Sequence, residues 1–219
     1  MKYLKLILFS FIGMASLPAS ASFITWTDWV AATTGVSGSA SGTMGSVGIS
    51  YTGDVTFAQL GAGINYWTEG TPAPYTGNSV VDNAPTAAEM IAMSRADIFN
   101  TITFSETVVN PLMAIVSQGR TSLPVQYDFN ASFTVLSEGH GYWGDGFYNV
   151  YADDILEGFE LHAVIQFNGS FDSISWVADE PEYWHGFTFG LAPQTSIPEP
   201  MSWLVFVVGL LAINRFKRT

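Results

Sequence analysis

The feature that most constrains this chain is a period of two. In TITFSETVV, Ile102, Phe104 and Val108 alternate with Thr and Ser, and FDSISWV spaces Phe171, Ile174 and Trp176 more loosely. AVIQF, HGFTFGL and VGISY read similarly. Successive side chains on a strand point to opposite faces, so such runs, bounded by Gly, Asn, Asp and Pro, are half-buried strands. Roughly ten to twelve are expected, with turns at Asn110-Pro111, Asn168-Gly169 and Gly144-Asp145-Gly146. One helical turn or two is expected at TAAEMIAM, where Thr86 and Glu89 make a capping box after Pro85. The Gly/Ser-rich stretch Gly35 to Gly48 opens straight into ISYTGDVTF. It therefore reads as a long hairpin or mobile loop rather than a linker. No internal repeat at a fixed period is seen, which argues against solenoids and propellers. The expected fold is all-β: an antiparallel β-sandwich of jelly-roll type with at most one short helix.

Both ends fall outside that pattern. MKYLKLILFSFIGMASLPASASF carries Lys2 and Lys5, an apolar run from Leu6 to Leu17, the helix breaker Pro18 and then Ala19-Ser20-Ala21. That is the order of a secretory signal peptide, with cleavage by signal peptidase expected after Ala21. The other end, IPEPMSWLVFVVGLLAINRFKRT, has Pro198-Glu199-Pro200, an apolar run from Met201 to Ile213, and the basic residues Arg215, Lys217 and Arg218. The run spans roughly 20 Å as a helix against about 30 Å of hydrocarbon. It is a weak anchor, held if the bilayer thins and Arg215 snorkels, with the basic tail kept cytoplasmic. The prolines keep Pro198-Glu199-Pro200 extended, in a form that a protease reads. An ordinary tail anchor and a cleavable sorting signal both fit these residues. The expected division is a signal peptide over 1–21, an exported domain over 22–196 and a sorting signal with a single transmembrane helix over 197–219.

Charge then narrows the partners. Setting aside Lys2, Lys5, Arg215, Lys217, Arg218 and Glu199 from seven basic and nineteen acidic residues leaves two basic and 18 acidic, a net charge of −16. Only Arg95 and Arg120 remain as cations in the domain. Nucleic acid and anionic headgroups are excluded as partners, since both demand Lys and Arg against phosphate. Divalent cations and neutral glycans suit such a surface better. The chain has no cysteine, so thiol catalysis, Cys-ligated zinc and lipidation on Cys are excluded.

Together the two termini resemble the PEP-CTERM sorting arrangement of exported proteins of Gram-negative bacteria. The resemblance rests on Pro198-Glu199-Pro200, the short apolar segment with Gly209-Leu210-Leu211, the basic end and the N-terminal signal. It implies processing near the Pro-Glu-Pro by an exosortase-type membrane peptidase whose nucleophile lies in that enzyme. Within the domain, ITWTDWVAATTG, GSASGTM, NTITFS, NPLMAIVSQG, FTVLSEGHGYWG, GFELHAVIQFNGSF and SISWVADEPEYWHGFTFG resemble a group of PEP-CTERM proteins without assigned activity. What this implies is export across the inner membrane, a transient membrane anchor and final placement at the cell surface or in an extracellular polysaccharide matrix. It implies no catalytic mechanism.

Three stretches of the domain carry chemistry. HGYWGDGFYNVYADD, His140 to Asp154, sets Tyr142, Trp143 and Tyr148 among glycines and acids. Aromatic faces stack on sugar C–H surfaces while carboxylates take the hydroxyls; equally, Trp143 and Tyr148 can plug one end of a sandwich. Asp145, Asp153, Asp154 and Glu157 offer oxygen ligands to calcium, or are simply solvated. In ADEPEYWHGF, Asp179, Glu180, Glu182, Trp184 and His185 invite a glycosidase reading, although Pro181 argues for a turn and a histidine beside Trp is commonly structural. His140, His162 and His185 lack zinc-ligand spacing, and no nucleotide-binding or serine-hydrolase motif occurs. The leading expectation is a non-enzymatic surface or matrix protein, structural or glycan-binding, without a cofactor. The alternatives are a polysaccharide-active hydrolase using Glu180 or Glu182, and a calcium-stabilised adhesin.

Overall fold

The computed structural model describes residues 21–152 and 154–193. Ala21 opens this span, half-buried; Ala19, Asp153, Pro198, Glu199, Pro200, Arg215, Lys217 and Arg218 lie outside the described residues. The strands are β1 (Thr25–Trp26), β2 (Asp28–Thr33), β3 (Gly35–Met44), β4 (Val47–Val55), β5 (Phe57–Gln59), β6 (Met90–Met93), β7 (Phe99–Val109) and β8 (Leu112–Gln118). There follow β9 (Val125–Phe129), β10 (Phe133–Glu138), β11 (Phe147–Tyr151), β12 (Ile155–Phe159), β13 (Leu161–Phe167), β14 (Ser170–Ala178) and β15 (His185–Leu191).

They form two antiparallel sheets. The front sheet runs β10-β13-β8-β15-β6-β5, with β1 also paired to β15. The back sheet runs β11-β12-β9-β14-β7-β4-β3-β2. Alternation explains the back sheet well: in β7, Asn100, Ile102, Phe104 and Val108 are buried while their neighbours are largely solvated. The Gly/Ser-rich stretch is the β3–β4 hairpin, turning at Gly45 with φ 62°. Its inward positions are Gly38, Ala40, Gly42 and Met44. A Cβ on Gly42 would lie 2.3 Å from the Asp28 carbonyl oxygen, so β2 and β3 meet closely only because that side chain is absent.

Between the sheets lies a core rich in aromatics. Tyr51 and Trp176 from the back sheet stack at 5.9 Å, and Trp176 meets Phe187 from the front sheet edge-on at 5.2 Å. Each large side chain buried this way contributes about 1.5 to 3 kcal/mol.

The front sheet is buried on both faces. Ile91, Met93, Met113 and Ile115 join the inter-sheet core. Met90, Ala92, Leu112, Ala114 and Val116 pack outward against Ile24, Trp26, Trp67, Tyr75 and Val81. The cover comes mainly from residues 60–89, which contain no strand. At TAAEMIAM the helical character expected stops at a single turn. Glu89 does reach back to the Thr86 N–H as a capping box requires, but only one turn forms and Met90–Met93 continues as strand β6. Two buried faces remove the alternation that marks a strand, so this segment reads like a short apolar helix. Among the described residues fifteen strands stand where ten to twelve are expected, the surplus being short pieces such as β1 and β5. Among the described residues no helix is long and apolar enough to cross a membrane.

Candidate functional site

A cleft of about 440 Å³ opens beside the end of β8. Its floor and polar wall are Ser117, Arg120, Glu160 and Glu182; Trp143, Tyr183 and Trp184 form the aromatic wall. Four chain segments meet there. The end of β8 supplies Ser117, and a tight turn closed by Arg120 and Leu123 backbone hydrogen bonds supplies Arg120. Glu160 is the single residue joining β12 to β13, at φ 65°. The loop before β15, entered through Pro181, brings Glu182, Tyr183 and Trp184. The turn Gly141–Gly144, closed by reciprocal backbone hydrogen bonds, presents Tyr142 and Trp143 at its tip.

The aromatic side chains form a connected row. Phe57 meets Trp184 at 5.2 Å, Trp184 meets Tyr66 at 4.8 Å, Tyr66 meets Tyr142 at 4.9 Å, and Tyr142 meets Trp143 at 4.9 Å. Trp143 and Trp184 stand 6.5 Å apart. Trp143 remains 53% exposed and Tyr183 85% exposed. Trp143, exposed yet held by Tyr142 and Trp184, gives a half-wet aromatic surface of the kind that binding sites use. Backbone contacts fix the tip from behind: Gly70 N–H donates to the His140 carbonyl and His140 N–H to the Pro72 carbonyl, at 2.8 and 2.9 Å.

The polar wall is tied together. Glu182 is almost wholly buried at its side chain; Oε1 accepts the Gly119 N–H at 2.9 Å and meets His185 Nδ1. Glu160 Oε1 accepts the Ser117 hydroxyl and lies 4.0 Å from His162 Nε2. Burial raises the Glu160 carboxyl above its ordinary value and Glu182 adds to this, while the Ser117 hydrogen bond and Arg120 pull it back. Burial also lowers His162 to about 4, with His140 a lesser cause, so its ring is neutral at pH 7. The Arg120 guanidinium lies 5.6 Å from the centre of the Tyr183 ring. The other arginine of the domain, Arg95, is committed to buried Asp54. One cation of the pair is thus structural and the other faces the cleft.

The other expected site residues are scattered. Tyr148 is half-buried against the inter-sheet core and does not join Tyr142 and Trp143, so the aromatic trio of the loop is divided. Asp145 pairs with His140 at 3.1 Å, and Asp154 offers its carbonyl to the Phe129 N–H. Glu157 lies on the outer side of the back sheet, where Asn149, Gln126 and Tyr151 donate to it; those donors, Asn149 first, lower its carboxyl pKa. Among the described residues no group of three or more His, Cys, Asp or Glu side chains is placed to hold a metal. Glu180 is exposed, and Asp179 accepts the Gln126 N–H at 2.6 Å. Glu160, Ser117, Tyr66 and Tyr183 were not legible as site residues, because nothing in their local sequence marks them.

Compared with protein-family models, curated proteins and solved structures, the chain matches none.

Proposed function

We propose that this is an exported surface or matrix protein whose cleft binds a polysaccharide. The observation that carries the reading is the convergence of Trp143, Tyr183 and Trp184 on one cleft with a polar wall, Tyr142 packing behind Trp143. Flat rings serve sugar faces, Glu160, Glu182 and Ser117 serve hydroxyls, and the volume suits a few sugar units. The charge of the domain supports a neutral glycan and disfavours nucleic acid. The test is titration of the full-length chain in detergent with the producing cell's own purified extracellular polysaccharide. Saturable binding supports the reading; no binding removes it.

The scaffold reads as a jelly roll. The orders β6-β15-β8-β13 and β7-β14-β9-β12, with the chain crossing repeatedly between sheets, support that finer description. Delivery is proposed from the termini: signal peptidase after Ala21, a transient inner-membrane anchor, and an exosortase-type peptidase at Pro198-Glu199-Pro200.

A further inference from the structure

The cleft holds two carboxylates in unlike settings. Glu160 sits on a left-handed residue, with Ser117 Oγ–H donating to it and the buried ring of His162 behind it. Glu182 is fixed by the Gly119 N–H and backed by His185. Both are pinned to the same short stretch of chain, at Ser117 and Gly119, whose Cα atoms are at most about 7 Å apart. Glycoside hydrolases hold their carboxyl pairs about 5 to 10 Å apart across the scissile bond. Ser117 and Glu160 both keep positive φ without being glycine, at 60° and 65°. Backbone conformations of this kind cluster at functional sites. Trp143, Tyr183 and Trp184 line the same cleft as this pair.

We propose that Glu160 and Glu182 are the acid and the base of a glycoside-hydrolysing site in this cleft, acting on the bound polysaccharide. The proposal rests on the glycan-binding reading and adds an activity to it. Glu160 gives its proton to the bridging oxygen as the bond from that oxygen to the anomeric carbon breaks. Water attacks the anomeric carbon, and its proton passes to Glu182. One water is consumed and one glycosidic bond is lost, and exchange with solvent returns both carboxyls to their starting states. The raised Glu160 carboxyl suits the acid, because it keeps its proton to a higher pH than an ordinary glutamate does. Sequence alone points to Glu180 as readily as Glu182; in the fold Glu180 is exposed and does not line the cleft.

The experiment incubates the full-length chain in detergent with that same purified polysaccharide, following new reducing ends and product masses alongside binding. Wild type and E180Q are expected to release product. E160Q is expected to lose at least about 100-fold of the rate while still binding and keeping its circular dichroism spectrum. E182Q is expected to behave likewise if it folds, and E160Q carries the test if it does not. Release that persists in E160Q overturns the proposal. So does wild-type binding without release, which leaves the binding reading standing. No binding by any variant removes both.

Discussion

Glu160 and Ser117 meet where β13 starts and β8 ends, the Ser117 hydroxyl donating to the Glu160 carboxylate while both backbones lie in the left-handed region. Side chains with a Cβ are uncommon there, so the surrounding sheet holds this contact in place. The Glu160 carboxyl is raised in the fold, so between the unfolded and folded values the native state binds more protons. Its contribution therefore falls as pH rises through that window. E160Q, which cannot ionise, is expected to melt higher than wild type at pH 7 and no higher at pH 3. Equal differences at the two pH values would count against the assignment.

His162 acts in the opposite direction. Its folded pKa of about 4 lies below the ordinary 6.5, so the unfolded chain takes up a proton first as pH falls. Stability is complete above 6.5 and is lost as pH drops towards 4, by up to about 3 kcal/mol. Denaturant titrations of H162Q between pH 7 and pH 4 should show a flatter slope than wild type. An unchanged slope would mean that the ring is not held neutral.

Asp54 is a structural anchor. Its fully buried side chain takes the Ser94 and Arg95 N–H groups at 2.7 and 2.9 Å, together with the Arg95 guanidinium. Asp54→Ala leaves those donors without a partner and should cost about 3 kcal/mol in urea unfolding. Arg95→Ala, at a side chain that is nearly half exposed, should cost less. The reverse ranking would contradict the structure.

Sequence patterning carried the fold class further than it carried the site. Alternation in TITFSETVV and the Gly/Ser hairpin were readable because one face of the back sheet meets water. Met90–Met93 lacks the alternation of a strand because the segment over 60–89 buries its second face, and no local signal announces that cover. Trp143 and Trp184 are each conspicuous in sequence, but their meeting at 6.5 Å across 41 positions is a product of topology. Glu160 looks like any glutamate in GFELHA. Its place in the cleft follows from a one-residue join between β12 and β13. Tyr148, adjacent in sequence to the exposed rings, turns inward because strand parity at β11 sends it to the core.

The proposed sorting has a mass signature. Protein recovered from its native host should lack residues 1–21 and should end near Pro198-Glu199-Pro200. An intact mass that retains Thr219 would contradict processing there.

The most direct measurement is calorimetric titration of the full-length chain with the producing cell's extracellular polysaccharide, comparing wild type with W143A and Y148A. Trp143 is exposed in the cleft, so W143A should weaken binding by tenfold or more while the melting temperature stays put. Tyr148 packs on the core, so Y148A should lower the melting temperature and leave the affinity of the folded protein unchanged. Binding that survives W143A, or that disappears only in Y148A, would contradict the account.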